Sequence, residues 1–323
     1  MKKTYKHLTE AERNLIVVMV NRNKSIHEIE RELMRSPGTI CRELKRNRGR
    51  NRYRVHLAQK RAIEKHHISH KHKRLKTYAL QLEVESMLKK GWSPELIAGR
   101  IKKEAILPTI SHEAIYQWIY SDADYLIGYL VRSHQTRWPK GKSKHSRRPF
   151  LPADRVSIDD RPSYINERKQ PGHWEADLLV GGGKSALQVA VERKTRFTKL
   201  AKIPDKTASS SRIALSSVLS ILPKHFLRSI TYDNGPENVQ HNVLNNSLGT
   251  SSFFCNPYHA WEKGTVENTN SLIRRSLPKR TNFDIISDSD ISKVESWLNN
   301  RPRKCLGFST PSEVFNSTVA LNG

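Results

Sequence analysis

Thirty-three residues separate Asp233 from Glu267, an interval that suits one helix, one strand and one turn and leaves no room for an inserted domain. Asp233 follows a short apolar run, Ser229-Ile230-Thr231-Tyr232, that reads as a strand, and residues 250–254 read as another. A polar helix fits between them, and Glu267 falls in the helix after the second strand. Upstream, residues 173–180, 185–192 and 197–203 read as three strands. Gly181-Gly182-Gly183 supplies the first turn between them and Arg193-Lys194-Thr195 the second. A helix over 208–222, with Ile213, Leu215, Val218, Leu219 and Leu222 apolar, follows the third strand. Three antiparallel strands and then helix, strand, helix, strand, helix predict a mixed sheet with crossover helices, starting near Asp159. The tail adds a helix around Ile291–Leu298, a turn at Arg301-Pro302-Arg303-Lys304, and a capping box at Thr310-Pro311-Ser312-Glu313.

This order brings acids together. Side chains alternate along a strand, so Glu175 and Asp177 point to one face of the first strand, and either qualifies as a ligand on that ground alone. Asp233 stands at the end of the short 229–232 strand, and Glu267 sits on a helix. Asp233-Asn234-Gly235 is also a turn signal, but here it follows a strand instead of joining two. Carboxylates on two strands and a helix suit hard cations, which take oxygen ligands and complete their shells with water. Two such ions about 4 Å apart clamp the attacking and leaving oxygens of an in-line phosphoryl displacement. Asn270 and Arg274 lie three and seven residues beyond Glu267, on the same helix face. Arg274 is placed to hold a phosphate, with a surface salt bridge as its other reading. Trp261 and Lys263 suit DNA near a cleavage point, with core packing the alternative for Trp261.

The front half has a different character. Of 57 Lys and Arg against 31 Asp and Glu, 34 basic and 14 acidic residues lie within 1–150. Such an excess reads as a polyanion-gripping module joined to a nearly balanced domain. Thr9-Glu10-Ala11-Glu12 and Ser25-Ile26-His27-Glu28 are capping boxes that open two helices. Ser36 reads as a further cap, with Pro37 at the first helical position. The third helix carries Ile40 and Leu44 inward and Thr39, Arg42 and Lys45 outward. Three short helices with a tight turn before the last predict a helix-turn-helix whose third helix enters the major groove. From Lys45 to Arg54, Arg46 included, six of ten residues are basic and suit phosphate contacts. A second such unit has helices opened by Ser93-Pro94-Glu95 and Ser111-His112-Glu113, with His112, Tyr116 and Gln117 outward. His66, His67, His70 and His72 lie among Lys and Arg without cysteines or a dense carboxylate set, so a solvated or phosphate-facing helix is preferred to a zinc site. Ser133 to Pro149 reads as a basic linker. Three scattered cysteines make no disulfide framework, and no apolar run reaches the length of a membrane span.

The motifs together resemble those of bacterial transposases of the insertion sequence thirty family. The matching residues are Gly172-His173-Trp174-Glu175-x-Asp177-Leu178, Asp233-Asn234-Gly235, Pro257-Tyr258, Trp261-Glu262-Lys263-Gly264, Glu267-Asn268-x-Asn270 and Leu298-Asn299-x-Arg301-Pro302-Arg303-Lys304. Val266 stands where that family usually has Asn, and Ser271 where it usually has Gly; neither removes a ligand. The resemblance implies a multidomain chain, with N-terminal all-α helix-turn-helix modules followed by an α/β ribonuclease-H-like catalytic core. The expected divisions are 1–55 for the first module, 56–132 for a helical region with the second, 133–158 for a basic linker, and 159–323 for the catalytic domain with its helical tail. The resemblance selects Asp177, Asp233 and Glu267 as catalytic metal ligands, leaving Glu175, Asn234 and Asn270 to support them. It implies Mg²⁺, or alternatively Mn²⁺, with two ions per site. Expected partners are double-stranded DNA, at element ends and targets, and further copies of the chain in a homodimer or larger homo-oligomer. A cytoplasmic, nucleoid-associated location and no membrane are expected. DNA cleavage and strand transfer at terminal inverted repeats is the leading expectation. A catalytically inactive DNA-binding regulator is the alternative, and a ribonuclease acting on RNA–DNA hybrids is disfavoured by the helix-turn-helix modules.

Overall fold

The computed structural model describes residues 7–47, 49–70, 75, 77–130, 151–257 and 259–322, with the backbone alone at 66–70, 260 and 322. The expected linker at 133–149, Tyr258 and the imidazoles of His66, His67, His70 and His72 lie outside the described residues. The chain divides into two compact units, Met1–Lys76 and Thr77–Gly323.

The first unit is helical: α1 (Glu10–Asn21), α2 (Ile26–Leu33), α3 (Pro37–Arg46) and α4 (Val55–His70). Both expected capping boxes form, each with the hydroxyl and the Glu side chain satisfying one another's backbone N–H. Ser36 differs. It precedes α3, but its hydroxyl meets the Thr39 hydroxyl at 2.9 Å and caps no backbone N–H; Pro37 alone marks the start. Ile16, Val20, Ile29, Ile40, Leu44 and Tyr53 form the core. Glu43 of α3 is buried there, 2.8 Å from Arg13 Nε of α1 and accepting from the Tyr53 hydroxyl at 3.1 Å. That bridge fixes the roll of α3, so that Arg42, Lys45 and Arg46 face solvent and Thr39 is half-buried.

The second unit opens with α5 (Tyr78–Lys89), α6 (Pro94–Glu104) and α7 (His112–Asp122). Ser93 and Ser111 cap α6 and α7 as expected. Val84, Leu88, Ile97, Ile115 and Ile119 are fully enclosed, whereas His112 is exposed and Tyr116 and Gln117 are half-buried.

A five-stranded sheet follows, with β1 (His173–Val180), β2 (Ala186–Glu192), β3 (Thr198–Ile203), β4 (Ser229–Tyr232) and β5 (Ser251–Phe254) in the spatial order β3-β2-β1-β4-β5. β1, β2 and β3 pair antiparallel, and β4 and β5 join parallel to β1. α8 (Ala208–Leu219) and α9 (His241–Leu248) make the crossovers; α10 (Gly264–Ser276), α11 (Asp288–Asn299) and α12 (Pro311–Asn322) complete the chain. This is the ribonuclease-H-like order.

The pleat of β1 divides two cores. Trp174 and Ala176 pack with Leu215 and Leu219 of α8. Leu179 packs with Val266 and Ile273 of α10 and Leu298 of α11. Glu175 and Asp177 share the α10 side. α8 is shorter than the predicted helix, and Ile213 is 56 % exposed although the pattern placed it among the apolar positions. The helix interior needs only Ala214, Leu215 and Leu219.

The first helices of this unit grip its last ones. Trp297 donates its indole N–H to the Lys90 carbonyl at 2.7 Å. Arg100 of α6 forks onto both oxygens of Glu313 in α12, at 2.6 and 2.8 Å. Glu313 also closes the expected capping box with Thr310.

Candidate active site

Asp177 occupies the middle of β1, and Asp233 the first position after β4. Because β1 and β4 are adjacent and parallel, the two carboxylates converge at one place beside α10. Between them lies the ammonium of Lys263, 2.7 Å from Asp177 Oδ1 and 3.1 Å from Asp233 Oδ2, on a side chain only 5 % exposed. The other oxygen of each carboxylate is held by an amide. Asn270 donates to Asp177 Oδ2 at 2.5 Å, and Asn238 donates to Asp233 Oδ1 at 2.9 Å. Each acid is thus oriented by an Asn and presents one oxygen to the same cation.

The charges follow from this burial. Enclosure disfavours the charged Lys263 ammonium, but the two carboxylates outweigh it and hold its pKa above the ordinary lysine value. Asp177 is pushed upward by burial, against the pull of Lys263, with Asp233 adding like-charge repulsion. Glu237, half-buried in the loop after Asp233, is raised by its own burial and then by Asp233.

Glu175 is fully enclosed two residues before Asp177. Its Oε2 accepts the backbone N–H groups of Thr265 and Val266, both at 2.9 Å, in the first turn of α10. Its Oε1 lies 3.2 Å from Arg193 Nε. A carboxylate on the free N–H groups of a helix start is favoured by unpaired donors and by the helix dipole. The strand that carries Asp177 therefore also seats the helix that carries Glu267.

Glu267 lies on the α10 face shared by Lys263 and Asn270, and its side chain is exposed. Among the described residues, no three acidic, His or Cys side chains converge closely enough to hold one ion. The structure thus brings Asp177 and Asp233 together around Lys263, whereas Glu267, exposed on α10, does not close with them into a three-acid cluster. Asn234 donates to the Cys255 carbonyl at 2.7 Å and pins the loop after Asp233 to the end of β5. Arg274 is engaged with main chain: its guanidinium donates to Val180 O at 2.6 Å and also reaches the Leu277 and Pro278 carbonyls. Trp261 is 69 % exposed and stacks on His259 at 4.3 Å. Sequence reasoning missed Asn238 and the inward turn of Lys263. Asn238 lies five residues after Asp233, a spacing that carries no strand or helix signal.

A helix-turn-helix domain model matches residues 4–47. Over its full length the chain is similar to known proteins. It is 36 % identical to the transposase for insertion sequence element IS4351 of Bacteroides fragilis, covering 98 % of both chains. It is 35 % identical to the transposase InsI for insertion sequence element IS30A of Escherichia coli, covering 99 % of this chain and 86 % of that one. The chain belongs to the insertion sequence thirty family of transposases. Among solved structures, the catalytic core domain of BIV integrase is similar over 47 % of this chain and 97 % of its own, at 21 % identity and a TM-score of 0.36.

The protein is therefore a DNA transposase with a helix-turn-helix at its N-terminus, and its family implies use of a divalent metal. The donor set fits such an ion. Two oriented carboxylate oxygens meet on one buried cation, and the lysine ammonium stands where a metal's positive charge would be held. No helix among the described residues is long and apolar enough to cross a membrane.

Proposed function

We propose that Asp177, Asp233 and Glu267 hold the divalent ions of this transposase, that the ions are Mg²⁺, two to a site, and that the enzyme cuts and joins DNA at the terminal inverted repeats of its element. The observation that carries this reading is the bridging of Asp177 and Asp233 by one buried ammonium, with an Asn fixing the outer oxygen of each acid. Oxygen-only donors suit Mg²⁺, with Mn²⁺ as a substitute of the same preference. When bound, such ions supply Lewis-acid polarisation of the phosphodiester and lower the pKa of attacking water.

The chain's own groups have defined tasks. Asn270 and Asn238 keep Asp177 and Asp233 from rotating. Glu175 seats the first turn of α10, which sets the height of Glu267 above the sheet. With a metal held by the two acids, Lys263 would be displaced from between them, and its ammonium would be free for a DNA phosphate. In the first step a water oxygen bonds to phosphorus and the 3′-oxygen leaves as a hydroxyl. In the second step that hydroxyl attacks another phosphodiester, so one P–O bond forms for each one broken. No covalent bond between protein and DNA is needed.

For recognition we assign the exposed face of α3, with Thr39, Arg42 and Lys45 toward bases and Arg46 toward phosphate, and His112, Tyr116 and Gln117 of α7 as a second contact. Arg274 acts through the backbone it braces at the end of β1. Assembly as a homodimer or larger oligomer on DNA, and residence at the nucleoid, follow from two element ends having to meet. The decisive experiment changes Asp177, Asp233 and Glu267 singly to Ala and assays strand transfer with Mg²⁺ on a terminal-repeat duplex. Each change is expected to abolish transfer while sparing DNA binding. Transfer retained by any one of them refutes that residue's assignment.

A further inference from the structure

Behind α10, opposite the face that carries Lys263, Glu267 and Asn270, lies a cavity of ≈ 530 Å³. Gly264, Thr265, Asn268 and Leu272 line one wall, and Arg168, Arg196, Arg303 and Lys304 turn toward it from surrounding loops. Helical spacing separates these α10 positions from the catalytic face by about half a turn.

Four arginines gather at this cavity. Among the described residues, none of Arg168, Arg196, Arg301 and Arg303 has a carboxylate within ion-pair distance, and Glu95, the lining acid, is taken by Lys304 at 2.5 Å. Arg196 donates to the Thr265 hydroxyl at 2.8 Å. The Arg303 Nε is buried with no hydrogen-bond partner, and burial draws that guanidinium's pKa down to about 10. Arg168 and Arg196 also hold left-handed backbone, at φ 56° and 63°, a conformation that non-glycine residues keep at a cost. Arg301 and Arg303 donate to main-chain carbonyls, of Gly91 and Leu298, so the four guanidinium charges face the cavity without a counter-ion among the described residues, and the planar fork of arginine matches phosphate oxygens.

We propose that this cleft binds the phosphodiester backbone of the DNA strand running away from the scissile phosphate; the proposal rests on the Asp177–Asp233–Glu267 assignment above. The exposed edge of α10, at Glu267, Asn268 and Ser271, joins the two faces. A helix is about 10 Å across, so the gripped phosphates lie within a few steps of the cut.

The test uses terminal-repeat duplexes with flanking DNA, each carrying one neutral methylphosphonate linkage. They are titrated against full-length wild type, Arg168→Glu and Arg303→Gln. Arg168 is exposed, so its reversal keeps the test decisive should Arg303→Gln fold poorly. Neutralising one or two linkages within a few steps of the cut is expected to weaken wild-type binding roughly tenfold, the size of one charge-assisted contact, and to leave the variants' weaker binding unchanged. Coinciding interference profiles in wild type and Arg168→Glu overturn the cleft. A parallel cleavage assay of Asp177→Ala separates the two claims. Interference confined to wild type supports the cleft even if that variant still cuts, which would sink only the carboxylate assignment.

Discussion

The Lys263 ammonium lies 2.7 Å from Asp177 Oδ1 and 3.1 Å from Asp233 Oδ2. Under the metal assignment proposed above, lysine and metal would compete for the same oxygens. In Lys263→Met the competitor is gone, and Mn²⁺ affinity of the DNA-free chain is expected to rise about tenfold, one charge-assisted contact. Its metal-free form should lose about 1–3 kcal/mol of stability, because two acids are left facing each other, one of them half-exposed. Calorimetric Mn²⁺ titration and urea unfolding measure the two effects, and an unchanged Mn²⁺ affinity rules out the competition.

Glu175 is the second lever on the site. Glu175→Ala frees two helix-start N–H groups and leaves Arg193 charged and unpaired in the core. A loss of about 3–5 kcal/mol is expected. Urea unfolding should show it in the second unit, with no change in DNA binding by residues 1–76. A loss below about 1 kcal/mol would mean that water replaces the carboxylate.

His173 makes the sheet sensitive to acid. It is 3 % exposed, its Nδ1 lies 2.7 Å from the Ser229 hydroxyl, and burial depresses its pKa to about 4 from the ordinary 6.5. The unfolded chain binds this proton more readily, so the contribution is full above about pH 6.5 and is lost as pH falls through 4. Wild type should lose about 1–3 kcal/mol across that window beyond what His173→Asn loses. Melting curves from pH 7 to pH 4 test this, and parallel curves for the two proteins would falsify it.

On α3 the exposed Arg42 is placed for base contact. Arg42→Ala is expected to weaken binding to the element's own end by about 1–3 kcal/mol, the value of a bidentate base pair contact, and binding to random duplex much less. Competition titrations at two salt concentrations measure both. Equal loss on both DNAs would move sequence reading to His112, Tyr116 and Gln117.

The Arg100–Glu313 fork can be weighed by a double-mutant cycle. The Glu313 side chain is 45 % exposed, so solvent screens much of the attraction, and a coupling of about 0.5–1 kcal/mol is expected. A coupling indistinguishable from zero would leave Trp297 and its bond to Lys90 as the stronger tie.

The strands were legible because β1 to β5 are short and end at recognisable turns; residues 173–180 and 229–232 have the predicted bounds. The common face of Glu175 and Asp177 followed from the pleat alone. What each acid touches did not, since its partners come from α10, some ninety residues away. Lys263 read as a DNA contact because a lysine before glycine in a turn usually faces solvent; the direction of a long side chain is not encoded in spacing. Arg274 likewise read as a phosphate holder, with no sign of the carbonyls it meets. α5 was overlooked although Leu80, Val84 and Leu88 recur every four residues, its neighbourhood being dominated by charge.

The tie between α6 and α12 gives the molecule an order in time. Every core residue of the first unit lies between Leu8 and Ala58, so that unit has its full complement of contacts early in synthesis. The second unit must wait for Glu313 and Phe315, the latter stacked on Phe197 at 4.1 Å and tilted against Phe226 at 4.4 Å. At about 5–20 residues per second the delay is on the order of ten seconds or more. Ribosome-arrested chains that end before α12 should therefore hold DNA without cutting it. On that schedule each copy would meet DNA through its first unit before its second unit can close.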